Sequence, residues 1–155
     1  MGVSVRKIIQ RDLQELKSVL DSIELFPSEI LEEMIADYFQ NPDSPKLWFT
    51  AIEENDVLSI GYCAPEKLTV GTYNLLAIGV LKSKQGMGIG KAMMTYLEQE
   101  LKSQNQRLLI VETSGLPEFV LTRRFYENLN YKKEAVLKDF WDEGDDKVIY
   151  SKKLA

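Results

Sequence analysis

The segment "KQGMGIGK", Lys84–Lys91, places glycine at 86, 88 and 90, between an apolar run and a helical pattern. Glycine costs a helix about 1 kcal/mol relative to alanine. Three of them at a helix start serve either a tight turn or a ligand that must come close to the backbone. A strand that runs through such a turn into a helix has the geometry of a phosphate site. The N–H groups of the first helical turn lack partners there, and the helix dipole favours an anion. Two familiar phosphate loops are excluded by spacing. A Walker loop needs serine or threonine after its lysine, and Ala92 follows Lys91. The dinucleotide pattern G-x-G-x-x-G fits Gly86 and Gly88 but meets Lys91 at its third glycine.

Other groups with chemical potential are few. The chain has no histidine, which removes the commonest general base and metal ligand. Its one cysteine, Cys63, allows no intrachain disulfide and no zinc cluster. Cys63 sits in an apolar run and reads as a small buried hydrophobe. Glu112, in "IVETS", is a charge inside an apolar strand and needs a partner or a role. Glu66 in the connector "PEKLTVGTY" and Asp139 are further carboxylates of interest. Glu29, Glu32, Glu33 and Asp37 lie on one helix and read as a solvated face, or as a lure for a cationic amine.

These residues must be positioned by the elements around them. "VSVRKIIQ" alternates as a strand, and "RDLQELKSVLDS" is a helix with Asp12 as N-cap. "SEILEEMIADYFQ" is a second amphipathic helix. "KLWFTAIEE" and "DVLSIGYCA" are two strands joined at Asn55-Asp56. "NLLAIGVL" is apolar throughout, as in strands buried on both faces. The helix after the glycines sets Ile89, Met93, Leu97 and Leu101 on one stripe. "RLLIVETS" is another buried strand, and "LPEFVLTRRFYENLN" a helix with Pro117 in its first turn. "YKKEAVLKDFW" and "KVIYSKKL" close the chain as strands. The order is β-α-α-β-β-β-α-β-α-β-β. Strand-helix-strand from Asn74 to Ser114 predicts a right-handed parallel crossover, and the first half is antiparallel. The fold class is α/β, a mixed sheet in a single domain over 1–155.

Length, 155 residues, suits one domain. Hydrophobic residues make up 45% and charged residues 28%, as in soluble globular chains. A net charge of −5 argues against nucleic-acid or anionic-membrane partners. The start "MGVSVRKII" has no apolar core of a signal peptide, and Arg6 stands where a myristoylation signal wants serine or threonine. No apolar run approaches the roughly 20 residues of a membrane span. A cytoplasmic setting is expected.

"QGMGIG", Gln85–Gly90, matches Q/R-x-x-G-x-G/A, and the chain resembles the GNAT acetyltransferases over essentially its whole length. The strand "AIGVL" ahead of that signature, the element order, and "TRRFYENLNYKKEA" with Tyr126 carry the same resemblance. The resemblance implies acetyl-CoA as cofactor. Gln85, Gly86, Met87, Gly88, Ile89, Gly90 and Lys91 would form its pyrophosphate loop. Val80 and Leu81 would pair through their backbone with the pantetheine, where this strand and "RLLIVETS" splay apart. The second block often carries asparagine and alanine where this chain has Phe119 and Thr122. Arg123 or Arg124 would replace the lost contact by pairing with a phosphate.

The implied reaction is attack of a primary amine, on a small molecule or a protein, on the acetyl thioester. A backbone N–H near Val80 or Leu81 would steady the thioester oxygen. Tyr126 would protonate the leaving thiolate, since a phenol of pKa near ~10 carries its proton at pH 7. An alkylammonium must also lose a proton. Many family members place a carboxylate on the strand before the signature, but here that strand begins with Asn74. Glu112 is the expected base, with Glu66 and Asp139 behind it. The acceptor pocket is expected from loops such as "IELFPSE" and "PEKLTVGTY", and a homodimer is allowed. The competing reading is an acyl-CoA-binding or sensing domain without catalysis.

Overall fold

The structure, a computed structural model, describes residues 2–154. The elements are β1 (Ser4–Lys7), α1 (Leu13–Ser22), α2 (Leu31–Gln40), β2 (Leu47–Glu53), β3 (Asp56–Val57) and β4 (Ser59–Pro65). They continue as β5 (Thr72–Val80), α3 (Ile89–Ser103), β6 (Leu108–Ser114), α4 (Val120–Asn128), β7 (Lys132–Asp142) and β8 (Asp145–Lys153). The architecture is mixed α/β, as expected. The chain falls into two compact units, and β5 contributes to both. One unit comprises the chain up to Ala64 with Leu76–Glu100; the other comprises Pro65–Leu75 with the chain from Leu101 onward.

In the first unit the strand order is β1-β2-β4-β5, with β3 on β2. The pairs β1–β2 and β2–β4 are antiparallel. Apolar residues of α1 and α2 close over this sheet. Leu16, Leu31, Ile35 and Ile60 are fully buried together with Trp48, whose ring stacks on Tyr62 at 4.0 Å. Burial of each such side chain is worth about 1.5–3 kcal/mol. On α3 the stripe of Ile89, Met93, Leu97 and Leu101 is buried, while Lys91, Thr95 and Lys102 are exposed.

Two expectations are corrected here. "DVLSIGYCA" is not one strand but two. Extending the β2–β4 register (Phe49↔Gly61) would set Leu58 opposite Ile52, yet Val57 stands there. The extra residue is a β-bulge. Ser59 Oγ takes the Ala51 N–H at 2.8 Å, and Thr50 Oγ1 donates to the Ser59 carbonyl at 2.6 Å, so side chains satisfy the displaced backbone. The bulge frees the Leu58 carbonyl, which accepts the Leu81 N–H at 2.8 Å and so fixes the residue just past β5. Nor does Asp12 cap α1. A 3-10 turn, Gln10–Asp12, precedes that helix. The Asp12 carboxylate accepts the Ile9 N–H at 2.8 Å and two bonds from Arg6 at 2.8 and 2.9 Å. Burial opposes its charge, but those donors outweigh it and hold the carboxyl below the ordinary range.

In the second unit the order is β5-β6-β8-β7. β5 and β6 are parallel, Thr72↔Leu108 to Leu75↔Val111, as the crossover predicts. β6 and β8 are antiparallel over seven pairs, from Leu108↔Lys153 to Ser114↔Lys147. β7 is exposed along its whole length and shifts register twice against β8. One shift contains Asp139 at φ 56°. Its N–H donates to Asp146 at 3.0 Å and its carboxylate accepts the Gly144 N–H at 2.9 Å.

Candidate active site

The glycine turn is built from the end of β5. After Leu81, residues Lys82–Lys84 make one 3-10 turn, and the Lys82 N–H reaches Ser22 Oγ at 3.2 Å. Gln85 Nε2 then folds back and donates to the Val80 carbonyl at 3.1 Å. Its side chain therefore closes the loop onto the strand end. Gly86 and Gly88 have φ of 79° and 83°, the left-handed region that glycine adopts without strain. A Cβ on either would meet nothing within 4 Å. Met87 points outward at 66% exposure, whereas Ile89 is in the core at 4%. Any contact of Ile89 with a ligand must therefore use its backbone.

The first intrahelical bond of α3 runs from the Ala92 N–H to the Gly88 carbonyl at 3.1 Å. The amides of Ile89, Gly90 and Lys91 lie ahead of it, with no helix carbonyl behind them. Bare amides, a positive dipole end and open space at two glycines fit an anionic phosphate group. One of the two expected acceptor loops, "IELFPSE", stands in the same unit, whereas "PEKLTVGTY" belongs to the other. Ile23 and Leu25 pack so closely on Gly79 that an added Cβ there would lie 2.4 Å from Ile23 Cδ1. Leu20, Asp21, Phe26, Pro27 and Glu29 help to line a pocket of about 400 Å³ under this loop.

The second unit holds the remaining expected residues. Tyr126 is 3% exposed and ringed by Phe125, Tyr131 and Tyr150 at centroid distances of 5.1, 5.7 and 6.2 Å. Burial pushes its hydroxyl well above the ordinary phenol value, so it holds its proton at neutral pH. Glu112 Oε2 stands 3.3 Å from Lys147 Nζ. That ammonium also lies 3.8 Å over the Phe140 ring and 5.9 Å from the Trp141 ring. The charge in the apolar strand thus has its partner. Arg123 Nη1 donates to the Ser114 and Leu116 carbonyls at 2.7 and 2.9 Å, stapling the turn before α4; Arg124 is exposed. Cys63 is fully buried and its thiol is pushed up by burial, as suits an inert hydrophobe.

One coupling was missed in the sequence. Asn74 Nδ2 donates to Glu66 Oε2 at 2.8 Å, and Asn74 Oδ1 is buried without a partner. The signal was available, because asparagine in an apolar strand raises the same question as Glu112 does.

Residues 44–133, more than half of the chain, match the family model of the acetyltransferase (GNAT) domain. This chain belongs to the GNAT acetyltransferase family. It is 26% identical over 152 residues to an uncharacterised N-acetyltransferase of Methanocaldococcus jannaschii, covering 96% of this chain and 90% of that one. A crystal structure from Desulfovibrio desulfuricans, described as an acetyltransferase of the GNAT family, has 30% identity and a TM-score of 0.91, covering 99% of this chain and all of that one. An aminoglycoside 6'-N-acetyltransferase complexed with coenzyme A shares the fold at 14% identity and TM-score 0.74, with 97% of each chain covered. Acetyl-CoA is the cofactor of the GNAT family to which this chain belongs. Its glycine turn fits the donor's phosphates, for the reasons of backbone and space just given. Among the described residues no helix is long and apolar enough to cross a membrane.

Proposed function

We propose that this GNAT chain is an N-acetyltransferase that moves the acetyl group of acetyl-CoA to a primary amine of a small molecule or a protein. The observation that carries the reading is the turn Gln85–Lys91, where two glycines of positive φ leave open space beside the free amides of a helix start. In this reading the backbone of Gly86, Met87, Gly88, Ile89, Gly90 and Lys91 binds the pyrophosphate. Val80 and Leu81 hold the pantetheine arm through their backbone, and the Leu58–Leu81 bond keeps that backbone in place. Acetyl-CoA supplies an activated acetyl thioester. Tyr126, neutral through the physiological range, gives its proton to the departing sulfur. Arg124 is the arginine free to meet a phosphate, since Arg123 is committed to its turn.

The test is purified protein with acetyl-CoA against a panel of primary amines and amine-bearing peptides. Thiol release and product mass are the readouts. Acetylated product supports the reading. Tight coenzyme A binding with no product from any amine would replace it with an acyl-CoA-binding role.

A further inference from the structure

Unlike every other strand, β7 has no buried or half-buried residue among its eleven. It ends the strand order of its sheet, so one edge pairs with β8 and the other meets no strand among the described residues. Val136 and Leu137, as neighbours, point to opposite faces of the strand. Each is 46% exposed, so neither face is covered. Phe140 and Trp141 follow at 50% and 47%. Half of each of these four side chains left open makes roughly 400 Å² of apolar surface, the size of a functional patch. A standard interface takes about 800 Å² from each partner, a little over half of it apolar. The strand and the charged side chains at its ends come close to that size.

Sheet edges are commonly guarded by charges and bulges. On β7 the guards stand at the two ends. Glu134 is the extra residue of one register shift and accepts a bond from Ser151 Oγ. Residues 138–141 make the other shift. Between them Ala135, Val136 and Leu137 pair regularly with Ile149, Val148 and Lys147, and they carry no charge.

The strand also has a charge direction. Lys132 and Lys133 open it, and Asp142 with Glu143 closes it. The ion pairs of this hairpin are Lys138–Asp146 and Lys147–Glu112, and those four end residues take part in neither. Two such strands meeting in parallel would set lysine against lysine. Meeting antiparallel about Val136–Leu137, they set the lysines of one copy against the acidic end of the other, at both ends, with uncharged residues in the middle. That contact is two-fold and self-complementary.

We infer that β7 is a self-association surface, on which two copies of this chain pair antiparallel along their free β7 edges about Val136–Leu137. Apolar side chains then meet across the axis on both faces of the joined strands. The lysines of each copy reach the aromatic rings at 140 and 141 of the other as well as its carboxylates. Such pairing does not depend on the acetyl transfer proposed above.

Sedimentation velocity on full-length protein, from about 1 to 200 µM in low salt, should show a monomer–dimer equilibrium with a Kd on the order of 1–50 µM. Leu137→Glu, with folding checked by circular dichroism, brings two carboxylates together at the axis and should weaken the dimer roughly tenfold or more. A second set changes only exposed charges, which the fold of one copy does not need. Lys132→Glu with Lys133→Glu makes one protein acidic at both ends of β7. Asp142→Lys with Glu143→Lys makes another basic at both ends. Each alone should pair roughly tenfold or more weakly, while their equimolar mixture should pair within about threefold of wild type, because every end then meets its opposite. Wild type that stays monomeric up to about 200 µM overturns the inference and leaves the strand to a partner of different sequence. A dimer unmoved by Leu137→Glu and by both end variants overturns it too, since the copies then meet elsewhere. So does a mixture that fails to pair while wild type does, since the contact is then not antiparallel.

Discussion

Replacing Gly88 with valine separates two roles that the glycine turn combines. The backbone there sits at φ 83°, where an L-residue is strained by about 1–3 kcal/mol. For a chain of this length each kcal/mol lowers the melting temperature by roughly 2–4 °C. That cost falls on the folded protein with or without ligand, so it does not by itself change affinity. The free protein has no clash to add, because nothing stands within 4 Å of the new Cβ. If that space belongs to a phosphate, coenzyme A should bind at least tenfold more weakly, about 1.4 kcal/mol. Gly144 supplies a matched control. It has φ 81°, equally open surroundings, and a place in the β7–β8 turn. Gly144→Val should lose similar stability and keep its affinity. Thermal melts and titration calorimetry with coenzyme A read the two effects separately. A Gly88→Val protein that melts early but binds coenzyme A like wild type would refute the phosphate role and leave the segment as a turn.

Three further outcomes are expected. Tyr126→Phe keeps the ring among its aromatic neighbours and removes only the hydroxyl, so turnover should fall by roughly 10²–10⁴-fold while the acetyl-CoA dissociation constant moves less than about threefold; normal turnover on a substrate with rate-limiting chemistry would remove Tyr126 from the mechanism. Glu112→Gln should cost about 1–3 kcal/mol in urea unfolding, since Lys147 is 8% exposed and loses its carboxylate; an equally stable variant would release Glu112 from that structural role. Burial pushes the Tyr96 and Tyr150 hydroxyls up to about 12, and that of Tyr126 also rises. Folding favours their neutral form, so their contribution is intact below pH ~10 and falls as pH climbs through 10 to 12, when unfolded tyrosines ionise first. Absorbance at 295 nm should show these tyrosines ionising only together with alkaline unfolding.

The elements that carry a period were legible in the sequence. The α3 stripe and the parallel crossover follow from spacing that local chain geometry imposes. The expectation that "NLLAIGVL" is buried on both faces is corrected, since Leu76 is 50% exposed and Ile78, Gly79 and Val80 are only half-buried toward the strand's end. What escaped depends on side chains replacing backbone partners. Nothing in "DVLSIGYCA" marks the bulge, because it exists only when Ser59 Oγ meets the Ala51 N–H across the sheet. Asp12 looked like a helix cap, but Arg6 on the preceding strand competes for its carboxylate and wins. The glycine turn was legible because positive φ restricts residue choice. The direction of Arg123 and the partner of Glu112 were not, since a charge pattern does not say which neighbour a long side chain will reach. The Glu66–Asn74 bond spans eight residues across a connector whose path only the fold defines.

The backbone of Gly86 and Gly88 also has a chirality. Its positive φ is the region that D-amino acids prefer, so the turn has the shape of a mirror-image residue set twice into an L-chain. Glycine is the one encoded residue that suits either hand. In protein made by semisynthesis, D-alanine at position 86 would adopt this backbone naturally. It would also narrow the freedom of the unfolded chain, which by the usual glycine-to-alanine effect is worth about 0.4–1 kcal/mol. L-alanine at the same position would have to work against its own handedness. A pair of proteins identical in composition, differing only in the hand of one methyl-bearing carbon, should therefore move in opposite directions in stability.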